Sequence, residues 1–224
     1  MAEHVHVHPP HEFSETSGAT THRERTLELA ATLLLAIATV GIAWSGYQAA
    51  RWSGIQSRHY AEANTARALA NRASTAAGQD RLQDLLNFNR WLEASTQGDT
   101  TLTRLYEARF RPEFRPAFQA WIAQDPLHQP GAIPSPLLMP QYHPAKTALA
   151  DQLEHKADRA FSGGRTATDH TDNYVLTTVF FAAVLFFGGI SMRFAWLAMR
   201  IVVLGLGTLC LLYALIRIAL LPIG

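Results

Sequence analysis

The chain has 224 residues, a formal charge of +1 and a mean hydropathy of zero. That balance excludes the basic footprint of a nucleic-acid binder. Its one cysteine, Cys210, excludes an intrachain disulfide framework and any multi-cysteine zinc site.

The average hides segregation, because the apolar residues fall in blocks towards the two ends. Residues 1–25 form a polar tail with His4, His6, His8 and His11. Alternating neutral imidazoles can ligate zinc, copper or nickel, which makes the tail a candidate metal site as well as a simple polar end.

A helix needs about 20 mostly apolar residues to cross the hydrocarbon layer. Residues 26–50, 174–192 and 194–220 meet that requirement, so the expected fold is an all-α integral membrane protein with three transmembrane helices. Arg200 and Arg217 interrupt the last segment near its ends, where long side chains reach the headgroups. Trp44, Tyr47, Trp52, Tyr174 and Trp196 cluster near segment ends, as interfacial aromatic residues do. The second and third segments are separated only around Gly189 to Arg193, which predicts a tight hairpin. With three crossings, the tail and hairpin turn share one side. Residues 51–173, a helical extramembrane domain, share the other side with the C-terminus. The short hairpin's arginines favour the tail inside and the domain outside, that is, periplasmic.

Ala49, Trp52, Gln56, His59, Ala63, Ala66, Ala70, Ala73 and Ala77 follow one another at spacings of three and four, a heptad seam. No proline lies between Pro10 and Pro112. The spacing predicts one helix from about Thr26 to Ala77, with Gly78 as its C-terminal stop. Within the first membrane segment, Ala38, Gly41, Ser45 and Ala49 make a small-residue stripe suited to close helix contact. It is expected to pack against the protein's own later helices, and also against a second copy or another subunit.

After Gly78 a second helix is expected over Asp80 to Ala94, with Leu82, Leu85, Leu86, Phe88, Trp91 and Leu92 as its apolar residues. Asp99 is the candidate N-cap of a third. Arg109 to Gln124 reads as a short helix opened by Pro112 or Pro116, with Phe110, Phe114, Phe118 and Trp121 on one side. The interleaved Arg109, Arg111 and Arg115 read as the solvated rim of that core. Asp125 to Pro144 holds six prolines in twenty residues, a loop. A helix over Ala145 to Phe161 carries Leu149, Leu153, Ala157 and Ala160 and returns along the alanine seam. Ser162, Gly163 and Gly164 are expected to break it. Asp151, His155 and Asp158 have metal-ligand spacing on that helix, against a solvated face with a local ion pair.

The chain contains no GxxxxGK[ST], HExxH, GxSxG or dinucleotide-binding pattern, so it is read as not an enzyme and as needing no cofactor. No Asp, Glu or Lys lies in the membrane cores, which weighs against a proton- or ion-coupled transporter.

The block Trp44 to Gln56, together with Tyr174-Val175-Leu176 and Phe186-Phe187-Gly188-Gly189-Ile190, resembles an uncharacterised family of small bacterial three-helix membrane proteins with an alanine-rich extramembrane region. That resemblance implies topology and carries no activity.

The expected function is a non-catalytic membrane scaffold or accessory subunit in the bacterial inner (cytoplasmic) membrane. It associates through Ala38, Gly41, Ser45, Ala49, Ala63, Ala66, Ala70, Ala73 and Ala77 with lipid and with other membrane subunits or copies of itself. A respiratory, photosynthetic or envelope complex would fit. The alternatives are an oligomeric channel or transporter lined by the first helix, and a metal-handling protein using the histidine tail.

Overall fold

The computed structural model describes residues 22–129 and 131–224. Among these, helices α1 (His22–Thr96), α2 (Thr100–Ala108), α3 (Arg115–Ile122), α4 (Ala145–Ser191) and α5 (Leu197–Leu220) are joined by turns and one 3₁₀ turn, Pro136–Leu138; no strand forms. Three of the helices, α1, α4 and α5, contain stretches long and apolar enough to cross a membrane. The chain divides into two compact units, the first built from the residues through Gln48 with Asn173–Ile223, the second from Ala49–Asp172.

α1 does not stop at Gly78. A Cβ there would meet open space, and a glycine costs only about 1 kcal/mol relative to alanine in a helix. The following turns bury Phe88 and Trp91, which outweighs that cost. The helix expected over Asp80 to Ala94 is therefore the end of α1. The true terminator is Gly98, with φ of +73°. Asp99 N–H donates to Ala94 O and Gly98 N–H to Ser95 O, a Schellman cap. Asp99 then opens α2, accepting from the N–H groups of Thr101 and Leu102 at 3.0 Å each.

α4 likewise runs through Ser162, Gly163 and Gly164 without a break. Both glycines are there for space. A Cβ at Gly163 would lie 3.1 Å from the His59 ring, and one at Gly164 would lie 2.6 Å from the Tyr60 ring. α1 presses its rings into a notch that only glycine leaves open.

In the second unit the two long helices run antiparallel. As the α1 residue rises through Trp52, Tyr60, Arg67 and Asp80, its α4 partner falls through His170, Thr168, Asp158 and Lys146. Along this pairing Ala63, Ala66, Ala70, Ala73 and Ala77 are buried, as are Ala150, Ala157, Ala160 and Ala167 of α4. Methyl groups alone contribute about 0.8 kcal/mol each on burial. A second source of stability sits at the far end of α1, where Phe88 and Trp91 meet Phe110, Phe114, Phe118, Trp121 and Met139. Phe88 and Trp121 stack edge-on at 5.1 Å, Trp91 and Phe118 at 4.7 Å. Trp121 Nε1–H donates to Ile133 O at 2.6 Å and ties the proline-rich loop to this core.

The helix expected over Arg109 to Gln124 is shorter than its pattern. α3 covers only Arg115–Ile122 with Pro116 in its first turn, and Phe110 and Phe114 reach the core from the turn before it.

The first unit packs α1, α4 and α5 around Ala31, Leu34, Ala38, Phe181, Val184, Leu204, Leu211 and Ala214. Small residues let the backbones close in. Gly41 lies under the Phe181 ring, and a Cβ at Gly207 would lie 3.3 Å from Phe187 Cβ and 3.9 Å from Gly188 N. The arginines that interrupt α5 are paired inside the unit: Arg200 approaches Glu28 at 3.6 Å, and Arg217 donates to Asn173.

Candidate functional site

The small residues singled out from the sequence are buried by the chain itself. Ala38 and Ser45 have no exposure, Ala49 has 9%, and Ala63 and Ala66 have 1% and 3%. Gly41, Ala70, Ala73 and Ala77 are buried too. Within the chain these residues make the contact expected with the protein's own later helices, and the exposed face of α1 lies beside them.

Around α1 in the first unit, that uncovered face carries Ala36, Ala43 and Gly46 among larger exposed side chains, Leu33, Val40, Trp44 and Tyr47. A groove of about 420 Å³ runs beside it, lined by Ala36, Val40, Gly41, Trp44, Leu215 and Ile218. A Cβ at Gly46 meets nothing within 4 Å.

His4, His6, His8 and His11 lie outside the described residues. Asp151, His155 and Asp158 form no metal-binding group among the described residues; Asp158 pairs instead with Arg67. Of the three arginines near the aromatic run, Arg115 closes the end of α2, donating to Phe110 O at 3.0 Å and to Ala108 O at 3.2 Å. Arg111 is held in a cluster the sequence reading missed. It reaches Asp84 and Asp80 at 3.0 Å each and Glu113 at 3.2 Å, while Lys146 meets Asp80 at 2.8 Å. Tyr142 O–H donates to Asp84 Oδ2 at 3.0 Å. Three carboxylates thus face two cations. The Asp84 side chain has no exposure, and burial raises its carboxyl above the ordinary value against the lowering pull of Tyr142 and Arg111. Burial and the Asp84 bond together hold the Tyr142 phenol far above its ordinary value.

Chemically this cluster is a clamp. It joins α1, the turn before α3, the proline-rich loop and the start of α4, and its charges are spent on one another. Its signal in the sequence was the seam itself, which continues past Ala77 at the same spacing onto Asp80 and Asp84.

The other missed feature is apolar and exposed. Leu82, Leu85 and Leu86 of α1 and Leu138 of the loop face outward, between 38% and 59% exposed.

No protein-family model, curated protein or solved structure matches the chain. The fold itself defines the class: a helical protein with three helices able to cross a membrane.

Proposed function

We propose that the protein is a non-catalytic scaffold or accessory subunit of an assembly in the bacterial cytoplasmic membrane, with the second unit on the outer side. The observation that carries this reading is the uncovered face of α1 in the first unit, where Ala36 and Ala43 stand exposed among Leu33, Val40 and Tyr47, with an apolar groove along Ala36, Val40 and Trp44. In lipid, bulk apolar contact gives little net gain, because the tails are as apolar as the side chains. Close backbone approach over small residues is what associates helices there. The sequence-level stripe supports the reading in a changed form. Ala38, Gly41 and Ser45 line the protein's own bundle, and the neighbouring exposed face, where Ala36 and Ala43 leave dips between Leu33, Val40 and Tyr47, is left for another helix.

The test is association in native membranes. Cysteine at position 43 or 46, in a Cys210→Ser background, should cross-link to a neighbour on mild oxidation. Gly46→Leu should abolish the high-mass species on native gels, while Gly46→Ala should keep it. A lone monomer in native membranes, or a Gly46→Leu variant with an unchanged complex, would sink the proposal.

A further inference from the structure

The hairpin end of the first unit holds a buried cation that its own partner serves poorly. Arg200 is the fourth residue of the 24-residue helix α5, and a helical side chain leans towards the N-terminus of its helix. At 1.5 Å per residue α5 is about 36 Å long, against about 30 Å of hydrocarbon. The guanidinium therefore lies at the level where acyl chains give way to headgroups. Exposed Trp196 marks the same edge. The Arg200 side chain is only 12% exposed, and its Nε–H is buried with no acceptor among the described residues. Its one acidic partner among them, Glu28 of α1, stops 3.6 Å from Arg200 Nη2, too far for a hydrogen bond. Glu28 is also 47% exposed, so water competes for its carboxylate. A desolvated guanidinium with five N–H donors thus has a loose ion pair and no side-chain hydrogen bond among the described residues. Burying a charge is costly unless it is both paired and hydrogen-bonded. At the same end of the unit, Arg23 and Arg25 of α1 and Arg193 of the turn form no ion pair among the described residues. With Arg200 they make four arginines against two glutamates, Glu24 and Glu28.

Depth selects the ligand more than charge does. The anion that a bilayer itself presents at this level is the phospholipid phosphate, whose oxygens match the fork of a guanidinium. The exposed side chains next to the pair, Met199 beside Arg200 and Leu29 beside Glu28, are apolar and suit acyl chains. A carboxylate from another protein would have to be desolvated at the bilayer edge, at a cost like the one Arg200 already bears. We propose that Arg200 binds the phosphate of an anionic phospholipid in the leaflet at the hairpin end, with Arg25 and Arg193 favouring a headgroup of net negative charge. The inference rests on the three helices lying in a bilayer and needs no protein partner. Cross-linking at positions 43 and 46 can therefore fail while lipid binding holds, and the reverse.

The experiment measures lipid binding to the full chain, purified in mild detergent, by native mass spectrometry, with phosphatidylglycerol and phosphatidylcholine as probes. Phosphatidylglycerol should be retained about tenfold more strongly than phosphatidylcholine. Arg200→Gln should cut that preference to about twofold. Glu28→Gln removes the competing acid and should raise phosphatidylglycerol binding about threefold. Thermal midpoints will show whether the variants fold; should Arg200→Gln fail to do so, Glu28→Gln alone decides. Equal retention of the two lipids by the unaltered chain overturns the proposal, as does a preference that survives Arg200→Gln. A Glu28→Gln variant with a lowered midpoint and no gain in lipid binding would make Arg200 and Glu28 a structural pair and overturn it. Inorganic phosphate added at the lipid's concentration should displace nothing; displacement would make this a site for free anions and overturn the lipid assignment. Self-association that is lost in Arg200→Gln and indifferent to lipid would make it a contact between copies, with the same consequence.

Discussion

Replacing Arg111 with methionine removes the only cation among the described residues that touches Asp84, a carboxylate with no exposed surface. Breaking a buried ion pair from one side costs about 3–5 kcal/mol, because the remaining charge is left desolvated. Tyr142 still donates to Asp84, and Lys146 still holds Asp80, so the lower end, about 3 kcal/mol, is expected. Glu113 also loses its partner, but it is more than a third exposed and water compensates it. Against a typical domain stability of about 5–15 kcal/mol this is a large loss. Trp91 and Trp121 sit in the adjoining aromatic core, so thermal and urea unfolding in nanodiscs can be followed by their fluorescence. The double variant Asp84→Asn, Arg111→Met should recover more than half of the loss. The pH dependence has a definite sign. Asp84 is raised above 3.8 in the folded state, so folding favours its protonated form, and the stability this confers fades as pH rises through the raised value. Removing Arg111 deletes a lowering influence and extends that window upward. The deficit of Arg111→Met should therefore shrink between pH 8 and pH 5. A deficit under about 0.5 kcal/mol, or one that grows on acidification, would refute the account of the clamp.

Two glycine-to-alanine changes should have opposite signs. Gly164→Ala forces a methyl against the Tyr60 ring and should cost about 1–3 kcal/mol, whereas Gly78→Ala fills open helix surface and should gain about 0.5–1 kcal/mol; equal shifts in thermal midpoint would contradict both. Tyr142→Phe should lose about 1–2 kcal/mol near neutral pH by deleting a hydrogen bond to a buried carboxylate. Since the folded Tyr142 is raised above 10.0, the wild-type advantage is complete below that pH and decays above it, which a pH series of unfolding curves will read. Asp99→Ala deletes the two cap bonds of α2 and should cost about 1 kcal/mol, seen as faster amide exchange at Thr101 and Leu102 with the aromatic core unaffected.

The three apolar helices were legible because a membrane-length hydrophobic block needs no partner to be recognised. The alanine seam was legible because its period is the helix's own. Glycine was the misleading letter. Gly78 and the Ser162–Gly164 run resemble stops, but each glycine costs only about 1 kcal/mol, and packing against rings and aromatic residues decides otherwise. Gly98 was the real stop, and it is marked by the Asp99 cap beside it. The ionic clamp stayed hidden because Asp80, Arg111 and Lys146 are far apart along the chain, and only the folding back of α4 unites them. The outward leucines stayed hidden for the opposite reason: Leu82, Leu85 and Leu86 stand among core residues, and composition alone does not say which side faces water.

A row of identical methyl groups is a ruler without markings. Two helices joined only by alanines could slide by seven residues and find nearly the same contact again. The His59–Tyr60 rings seated over Gly163 and Gly164 act as a detent, admitting one setting and rejecting its neighbours by collision. Filling that notch would do more than strain one contact. It would set the notch against the Arg67–Asp158 and Asp80–Lys146 pairs, which hold the same setting further along the two helices.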